Sequence, residues 1–321
     1  MENYVFKIIS REQIAGDFPY RVRYLLQDPA LEDSIRKRGV VHPLVVTNGP
    51  KPVLIAGHKR LAAAKAAGVK SLPVLEIQDS FPEKEFFLLA VLSNWRQAGP
   101  ELDLACTLRL AVDKFKMTES ELLSELLPAL FLVPEKGLIE ELLIVSRLDH
   151  SILDLIAAEK LPFRGTKALS RFSPENQKEF ASSIASKMSL TTNQLIRTVE
   201  WIYDLLKSNA STSLAALLGS GDLPSLLQKE NRDPRQRAEQ FCQALRRLRF
   251  PRLTSQEEKF VQFSRQFEQE GGELKLEAPE SFEAEGFSLR AKIRNRESLN
   301  HVLEVLARKK TSLNSLFDIM L

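Results

Sequence analysis

Three residues in the stretch "AGHKRLAAAKAAG", positions 56–68, could together hold a negatively charged group. Gly57 follows the apolar run "PVLIA" and precedes an alanine-rich segment that ends at Gly68, which predicts a strand, a glycine turn and a helix. Free N–H groups at a helix start attract anions, and Lys59 and Arg60 add two positive charges there. The pattern indicates a phosphate site, although the same charges could be solvated residues in the first turn of a helix that packs on a sheet.

Composition indicates an ordinary folded protein, with 44% hydrophobic and 27% charged residues in a chain of 321 residues, long enough for two or three domains. Since the net charge is only +3, any nucleic-acid surface must be a local patch. Cys106 and Cys242 form no C-x-x-C pair, so neither a disulfide framework nor a metal site is expected. No run resembles a signal peptide or the roughly 20 apolar residues of a membrane span, so we expect a cytoplasmic protein without a membrane partner.

The elements that must position these residues belong to a small mixed α/β domain, predicted over residues 1–80. Strands "PLVV" and "PVLIA" flank Asn48-Gly49, a strong hairpin signal. The segment "ALEDSIRKRG" predicts a short helix that ends at Gly39, and "LPVLEI" predicts a further strand. Strand signals then disappear until the C-terminal region.

An all-helical middle domain is predicted over residues 81–207. The first helix begins near Ser80 and Pro82, the next begins at Glu101, and Thr118 with Glu121 forms a capping-box pattern. Periodicity predicts further helices over 138–148, 151–159, 174–187 and 192–207.

A polar stretch rich in glycine and proline, 208–235, predicts a linker. After it, 236–321 begins with a helix and ends with two segments of period two, "LKLEA" and "FSLRAKIR", and a final helix. That helix carries four apolar residues on one face: Leu299, Val302, Leu303 and Leu306. The predicted fold class is therefore α+β, with a small strand-strand-helix module at the end.

Four segments occur in an order that resembles the N-terminal domain of the ParB/RepB-type plasmid and chromosome partition family. They are "DFPYRVRY", "ALEDSIRKRGVVHPLVV", "AGHKRLAAAKAAG" and "EFFLLAVLSNWRQAGPELDLA". The corresponding family boxes are N-P-Y-Q-P-R, S-I-x-x-x-G-x-x-Q-P-L-x-V, G-E-R-R-x-x-A-A and E-N-x-x-R. The resemblance continues with lower specificity over 115–205, as the helix-turn-helix DNA-binding region, and over 270–310, as the dimerisation module.

The resemblance implies a DNA-binding homodimer, associated with the nucleoid, that binds CTP with Mg2+ and closes into a clamp around DNA. It also implies a ParA-type ATPase as partner, although the N-terminus lacks the basic tail that stimulates this ATPase. Carried over by position, the nucleotide-binding residues are Arg23, Gly57, His58, Lys59, Arg60 and Asn94.

Several positions depart from the family boxes. His58 replaces a glutamate and Lys59 an arginine, and lysine lacks the planar bidentate fork of arginine. His58 lies in the site alone, so no metal role is expected for it. Ser93 stands where a glutamate would help with the metal or the hydrolytic water, and Gln97 stands at the arginine, with Arg96 one position early. Whether the chain is a CTPase therefore stays open.

DNA contacts are expected from the helical middle. The segment at the place of the family's recognition helix, "VPEKGLIEELLIVSRLDH", is acidic and apolar, which suits phosphate contacts poorly. The predicted phosphate-contacting surface is Lys160, Arg164, Lys167 and Arg171. A second basic cluster is Arg246, Arg247, Arg249 and Arg252. Either cluster could instead be a solvated face.

Three functions remain open at this point. The first is a ParB-like DNA-binding protein of the partition type, gated by CTP. The second is a phosphoryl-transfer enzyme resembling sulfiredoxins or free-serine kinases, for which Glu101 or Asp103 could act as the base. The third is an adaptor or regulator that keeps the architecture but acts independently of nucleotide.

Overall fold

The computed structural model describes residues 4–94, 100–208, 213–228, 233–271, 274–277 and 286–320. Contacts divide the chain into two compact units, Met1–Val199 with Glu230–Ala238, and Glu200–Lys229 with Glu239–Leu321. The first unit holds both the mixed sheet and most of the helical middle. The borders predicted from the sequence, at 80, 207 and 235, stay predictions.

A mixed four-stranded sheet of order β1-β4-β2-β3 opens the first unit. Its strands are β1 (Tyr4–Ser10), β2 (Leu44–Thr47), β3 (Leu54–Ala56) and β4 (Ser71–Ile77). Strands β2 and β3 form the predicted antiparallel hairpin, and β4 returns parallel to β2 and antiparallel to β1. The sequence analysis missed β1, because six of its seven residues are exposed and no buried-exposed alternation marks it.

Two helices cover one face of this sheet, α1 (Pro29–Arg38) and α2 (His58–Ala66). Helix α1 begins after Asp28, whose side chain accepts a hydrogen bond from the backbone N–H of Leu31, and ends at Gly39, as predicted. The alanines of α2 let it pack closely: Ala63 and Ala64 are buried in one core with Leu44 and Val46. The strand-glycine-helix unit is confirmed.

The helical middle follows in the same unit up to Val199, within its last helix. Its helices are α3 (Glu83–Asn94), α4 (Glu101–Asp113), α5 (119–129, with a π turn at Leu122–Leu126), α6 (Lys136–Ser146), α7 (His150–Ala157), α8 (Pro174–Phe180, continued by a π turn at Ala181–Ala185) and α9 (Thr192–Ser208). A 3-10 helix, Thr166–Arg171, lies between α7 and α8. The predicted capping box of Thr118 and Glu121 is present. A second core joins the other face of the sheet to these helices, with Ile55 and Ile77 packed among Phe87, Leu108 and Leu126.

The stretch for which composition predicts a linker contains two short helices, α10 (Leu214–Leu218) and α11 (Leu223–Gln228). Paired leucines explain them, since Leu217, Leu218, Leu226 and Leu227 are all buried. The linker prediction follows from the glycines and prolines of the stretch and takes no account of these leucines. Part of the stretch, 209–212 and 229–232, lies outside the described residues.

The second unit continues with α12 (Pro234–Arg249), whose first turn belongs to the first unit, and α13 (Pro251–Gly271). The predicted strands pair antiparallel as β5 (Leu274–Glu277) and β6 (Ser288–Ala291). Helices α14 (Arg296–Arg308) and α15 (Lys310–Met320) follow. The strand-strand-helix order is confirmed, with α15 added, and the fold class is α+β. Among the described residues, no helix is long and apolar enough to cross a membrane.

Candidate functional site

Gly57 forms the turn between β3 and α2 in a conformation that other residues rarely adopt. Its φ is +106°, and its backbone carbonyl accepts the first hydrogen bond of the helix from the N–H of Leu61 at 2.9 Å. A Cβ at this position would lie 3.1 Å from Leu44 Cγ and 3.3 Å from Arg60 Cζ. Both the backbone and the neighbouring side chains therefore require glycine.

The guanidinium of Arg60 folds back over Gly57. Its Nη1 donates to the backbone carbonyl of His42 at 2.8 Å and also to that of Pro43. Burial lowers the pKa of Arg60, which remains charged at neutral pH. Arg60 thus ties the loop before β2 to the start of α2, so its charge is already solvated by the protein's own carbonyls.

Lys59 points the other way, into a cleft of about 470 Å3 between the sheet domain and the helical middle. Its side chain is 42% exposed, and its Nζ lies 3.6 Å from Asp28 Oδ2, a loose ion pair. The cleft is lined by Tyr24, Leu25, Lys59, Pro100, Glu101, Leu102, Asp103, Ile156, Ala157, Glu159, Leu161, Pro162 and Phe163. Its size and its mixture of polar and apolar groups suit a nucleotide-sized ligand.

One wall of the cleft is a hydrogen-bonded network centred on Asp103 in α4. Arg23 Nη1 donates to Asp103 Oδ2 at 3.0 Å, and Arg23 Nη2 donates to the carbonyl of Asn94 at 2.8 Å. The backbone N–H of Tyr24 donates to Asp103 Oδ1 at 2.7 Å. Because both carboxylate oxygens accept hydrogen bonds, Asp103 fixes the backbone at 23–24 against α4. From the sequence, Asp103 is predicted only as a candidate base, because no local pattern indicates hydrogen-bond partners 79 and 80 positions away.

Tyr24 also connects the wall to α7. Its hydroxyl donates to Asp154 Oδ1 at 2.8 Å, and burial together with that carboxylate raises the pKa of Tyr24. The structure therefore holds the segment before α1 against two helices of the middle domain.

The remaining predicted nucleotide residues lie outside the cleft lining. His58 is 5% exposed and packs edge-on against Phe18, with ring centroids 5.7 Å apart. Burial, with a contribution from Arg21, lowers the pKa of His58 to about 4, so its imidazole is neutral at pH 7. It borders a separate pocket of about 270 Å3 with Phe18 and Leu61.

Asn94 lies at the C-terminal end of α3, where its side-chain Nδ2 donates to the carbonyl of Ala90 at 2.6 Å. This contact is a C-terminal cap of the helix, made by the side chain of Asn94. Ser93 is exposed beside it, and Arg96 and Gln97 lie outside the described residues.

Few side chains of the cleft could act as metal ligands. Within the part of the chain that the structure describes, no three His, Cys, Asp or Glu residues are grouped to hold a metal ion. Glu101 lines the cleft with its Oε1 3.6 Å from Arg164 Nε, whereas both oxygens of Asp103 are engaged. Besides Asp103, the carboxylates that line the cleft are those of Glu101 and Glu159, so Mg2+ would be held mainly by phosphate oxygens and water.

The four cations predicted to contact DNA are all exposed. Lys160 follows α7, Arg164 lies in the next loop, and Lys167 and Arg171 are on the 3-10 helix. Helix α6 exposes Glu140 and also Lys136, which forms an ion pair with Glu119.

In the second basic cluster, three arginines face carboxylates. Arg246 makes two hydrogen bonds to Glu257, at 2.6 and 2.7 Å, Arg247 pairs with Glu258, and Arg249 pairs with Asp204. Arg252 is exposed. Their charges are thus largely offset within the second unit.

Parts of the chain are similar to known proteins. Residues 18–94 match the family model of the ParB N-terminal domain. The probable chromosome-partitioning protein ParB of Vibrio cholerae is 27% identical over 186 residues, covering 56% of this chain and 61% of that protein. The chromosome-partitioning protein ParB of Myxococcus xanthus is 28% identical over 195 residues, covering 53% of this chain and 65% of that protein. The matches thus span less than two-thirds of either relative.

Among solved structures, the C-terminally truncated ParB of Caulobacter crescentus, complexed to the centromeric parS site, is similar with 15% identity and a TM-score of 0.35, covering 60% of this chain and 98% of that one. By the family model, residues 18–94 are a ParB N-terminal domain. Over little more than half of its length, the chain is a distant homologue of ParB proteins.

Proposed function

We propose that this chain is a DNA-binding protein of the plasmid or chromosome partition type whose N-terminal domain binds CTP with Mg2+. The observation that supports it best is the cleft beside α2, which Lys59 and Tyr24 line from the matched ParB N-terminal domain and Glu101 lines from helix α4. Lys59 would neutralise phosphate charge, and the N-terminal end of α2 would add its dipole. Glu101 and Glu159 are the carboxylates of the cleft that would be available to the metal, which would supply positive charge against the phosphates.

Calorimetric titration of the full chain with CTP and Mg2+ tests this proposal. Lys59→Gln should weaken CTP binding roughly ten- to hundredfold, the effect of one charge-assisted hydrogen bond. Lys65→Gln is the matched control, because it removes the same charge from an exposed position on the same helix. Equal affinities for Lys59→Gln and the wild type would remove this site, and no binding of CTP at all would favour the nucleotide-independent adaptor.

Hydrolysis of the nucleotide should be weak or absent. Position 93 offers a serine where a carboxylate would be needed, and Asp103 has both oxygens engaged by Arg23 and Tyr24. The same engagement argues against Asp103 as the general base of the phosphoryl-transfer alternative, which leaves Glu101 as its candidate base. Phosphate release from CTP close to the uncatalysed rate is the expected result, and transfer of a labelled phosphate to a small acceptor would contradict it.

DNA binding is assigned to the exposed cations between α7 and α8. Lys167 and Arg171 lie on one 3-10 helix, while α6 exposes a glutamate. Lys167→Gln should therefore reduce the slope of log K against log salt by about 1, whereas Lys136→Gln on α6 should leave it unchanged. A reduced slope for Lys136→Gln with an unchanged slope for Lys167→Gln would indicate that α6 contacts the DNA instead. A ParA-type partner remains an expectation.

Homodimerisation is assigned to the C-terminal module. On α14, Leu303 is 55% exposed and Leu299 39% exposed, although the same helix buries Val302 and Val305 in its own core. Leu303→Glu should convert a dimer to a monomer in light scattering, because it places a charge in an apolar contact. His301→Glu adds a charge to the opposite face of the helix and should leave the dimer intact; if both variants behave alike, the interface lies elsewhere.

A further inference from the structure

A second cleft in the first unit is lined by three positively charged side chains, Lys160, Lys187 and Arg237. It has a volume of about 480 Å3 and shares one lining residue, Glu159, with the nucleotide cleft. Glu159 is the one carboxylate that lines it, so three positive charges face a single negative charge. The remaining lining residues are Ala185, Ser186, Met188, Ser189 and Pro234.

Arg237 is the unusual member of this group, because it is charged and yet only 8% exposed. Its Nε has no hydrogen-bond partner, and none of the three cations forms an ion pair within the described ranges of the chain. Arginine stays protonated at any physiological pH, so its charge cannot be removed by losing a proton. A buried donor without a partner is costly, so a negatively charged group that enters the cleft would be stabilised by Arg237.

Three separate segments build the cleft. After α7, Glu159 adopts a positive φ of 56° and turns the chain so that Lys160 is exposed. After the π turn that ends α8, the backbone N–H of Ser189 donates to the carbonyl of Pro234 at 3.2 Å, which fixes the start of α12 beside the cleft. Arg237 lies in the first turn of that helix, where the helix dipole also favours an anion.

We propose that this cleft binds a phosphate group through Arg237, with Lys160 and Lys187 as flanking charges. A guanidinium and two ammonium groups match the several oxygens and multiple charge of a phosphate better than those of a single carboxylate. The phosphate belongs either to a DNA backbone or to a small phosphorylated molecule. If the phosphate belongs to DNA, the inference rests on the proposed DNA binding. If it belongs to a small molecule, the inference is independent of that proposal.

The first experiment measures the thermal unfolding of the full chain during titration with inorganic pyrophosphate, at an ionic strength matched with chloride. Wild-type protein should show a rise in Tm with pyrophosphate, because a ligand that binds only the native state stabilises it. Arg237→Gln should weaken that response roughly ten- to hundredfold. Arg235→Gln is the matched control, an exposed arginine two positions earlier on the same helix.

Two further variants keep this result interpretable. Arg237→Lys retains the positive charge and should restore part of the response, which a merely misfolded variant would not do. Lys59→Gln removes a cation from the nucleotide cleft and should leave the response that depends on Arg237 in place.

The second experiment repeats the comparison with a DNA duplex over a series of salt concentrations. If a backbone phosphate occupies the cleft, Arg237→Gln should reduce the slope of log K against log salt by about 1. A loss with pyrophosphate alone would assign the cleft to a small phosphorylated molecule. Responses of Arg237→Gln equal to wild type in both experiments would overturn the inference, and the pyrophosphate result stands even if no variant binds DNA.

Discussion

The two basic regions of the first unit differ in what their positive charges contact. Around Gly57, the guanidinium of Arg60 is held by backbone carbonyls, and Lys59 lies near Asp28. In the cleft around Arg237, the charge is more deeply buried and its Nε has no hydrogen-bond partner among the described residues. A run of cations in the sequence therefore indicates where positive charge lies. The contacts in the folded structure show which of these charges are available to a ligand.

The largest effect should come from breaking the network that satisfies Arg23 beside the nucleotide cleft. Asp103→Ala leaves the guanidinium of Arg23 without its carboxylate and the N–H of Tyr24 without its acceptor, which should lower the free energy of unfolding by about 3 kcal/mol. Urea denaturation of the wild type and the variant measures this loss in the free energy of unfolding. Asp113→Ala removes an exposed carboxylate at the end of the same helix and should cost less than about 1 kcal/mol. Equal losses would show that the network does not stabilise this wall.

His58 provides a test that depends on pH. Burial lowers the pKa of His58 to about 4, from 6.5 in an exposed histidine. As pH falls from 6.5 to 4, the unfolded chain therefore takes up a proton that the folded chain does not bind, and stability should fall by roughly 3 kcal/mol. His58→Leu should remove this part of the pH dependence, whereas His150→Leu, at an exposed histidine, should keep it. Identical pH profiles for wild type and His58→Leu would contradict the burial of a neutral imidazole.

Gly57→Ala tests whether the turn before α2 requires glycine. The added Cβ meets Leu44 and Arg60 at a φ of +106°, so the free energy of unfolding should fall by about 2 kcal/mol. Gly39→Ala is the comparison, since Gly39 also has a positive φ of +71° but nothing within 4 Å of an added Cβ. Its loss should be about 1 kcal/mol. A larger loss at Gly39 would indicate that contacts at Gly57 matter little.

The local parts of this fold could be predicted from the sequence, because each depends on neighbouring residues. The Asn48-Gly49 hairpin, the helix that ends at Gly39 and the capping box at Thr118 are all present. Strand β1 was missed because its exposed apolar residues give no alternating pattern. The stretch 208–235 was expected to be a linker because its glycines and prolines outweighed its leucines.

The candidate sites were only partly predictable, since their contacts join distant positions. Gly57 and Lys59 follow from a short motif, but the return of Arg60 to the carbonyls of residues 42 and 43 does not. Asp103 meets Arg23 only after the helical middle packs on the sheet. The charges around Arg237 come from three segments that no motif connects.

The smallest expected effect is at Tyr24. Tyr24→Phe removes the hydrogen bond from its hydroxyl to Asp154 and should lower the free energy of unfolding by at most about 1 kcal/mol, because this contact is exposed. Chemical denaturation of the full chain measures it. A loss as large as that of Asp103→Ala would show that the contact with α7, rather than the Asp103 network, holds this segment.

The difference between the two basic regions is tested most directly by two matched substitutions, Arg60→Met and Arg237→Met, in buffer without phosphate. Arg60→Met should lower the free energy of unfolding by about 1–2 kcal/mol, because two carbonyls lose their donor. Arg237→Met should leave it unchanged or raise it by about 1 kcal/mol, because a buried unpaired charge is replaced by an apolar side chain of similar length. A clear loss of stability for Arg237→Met, equal to or larger than that for Arg60→Met, would contradict the account.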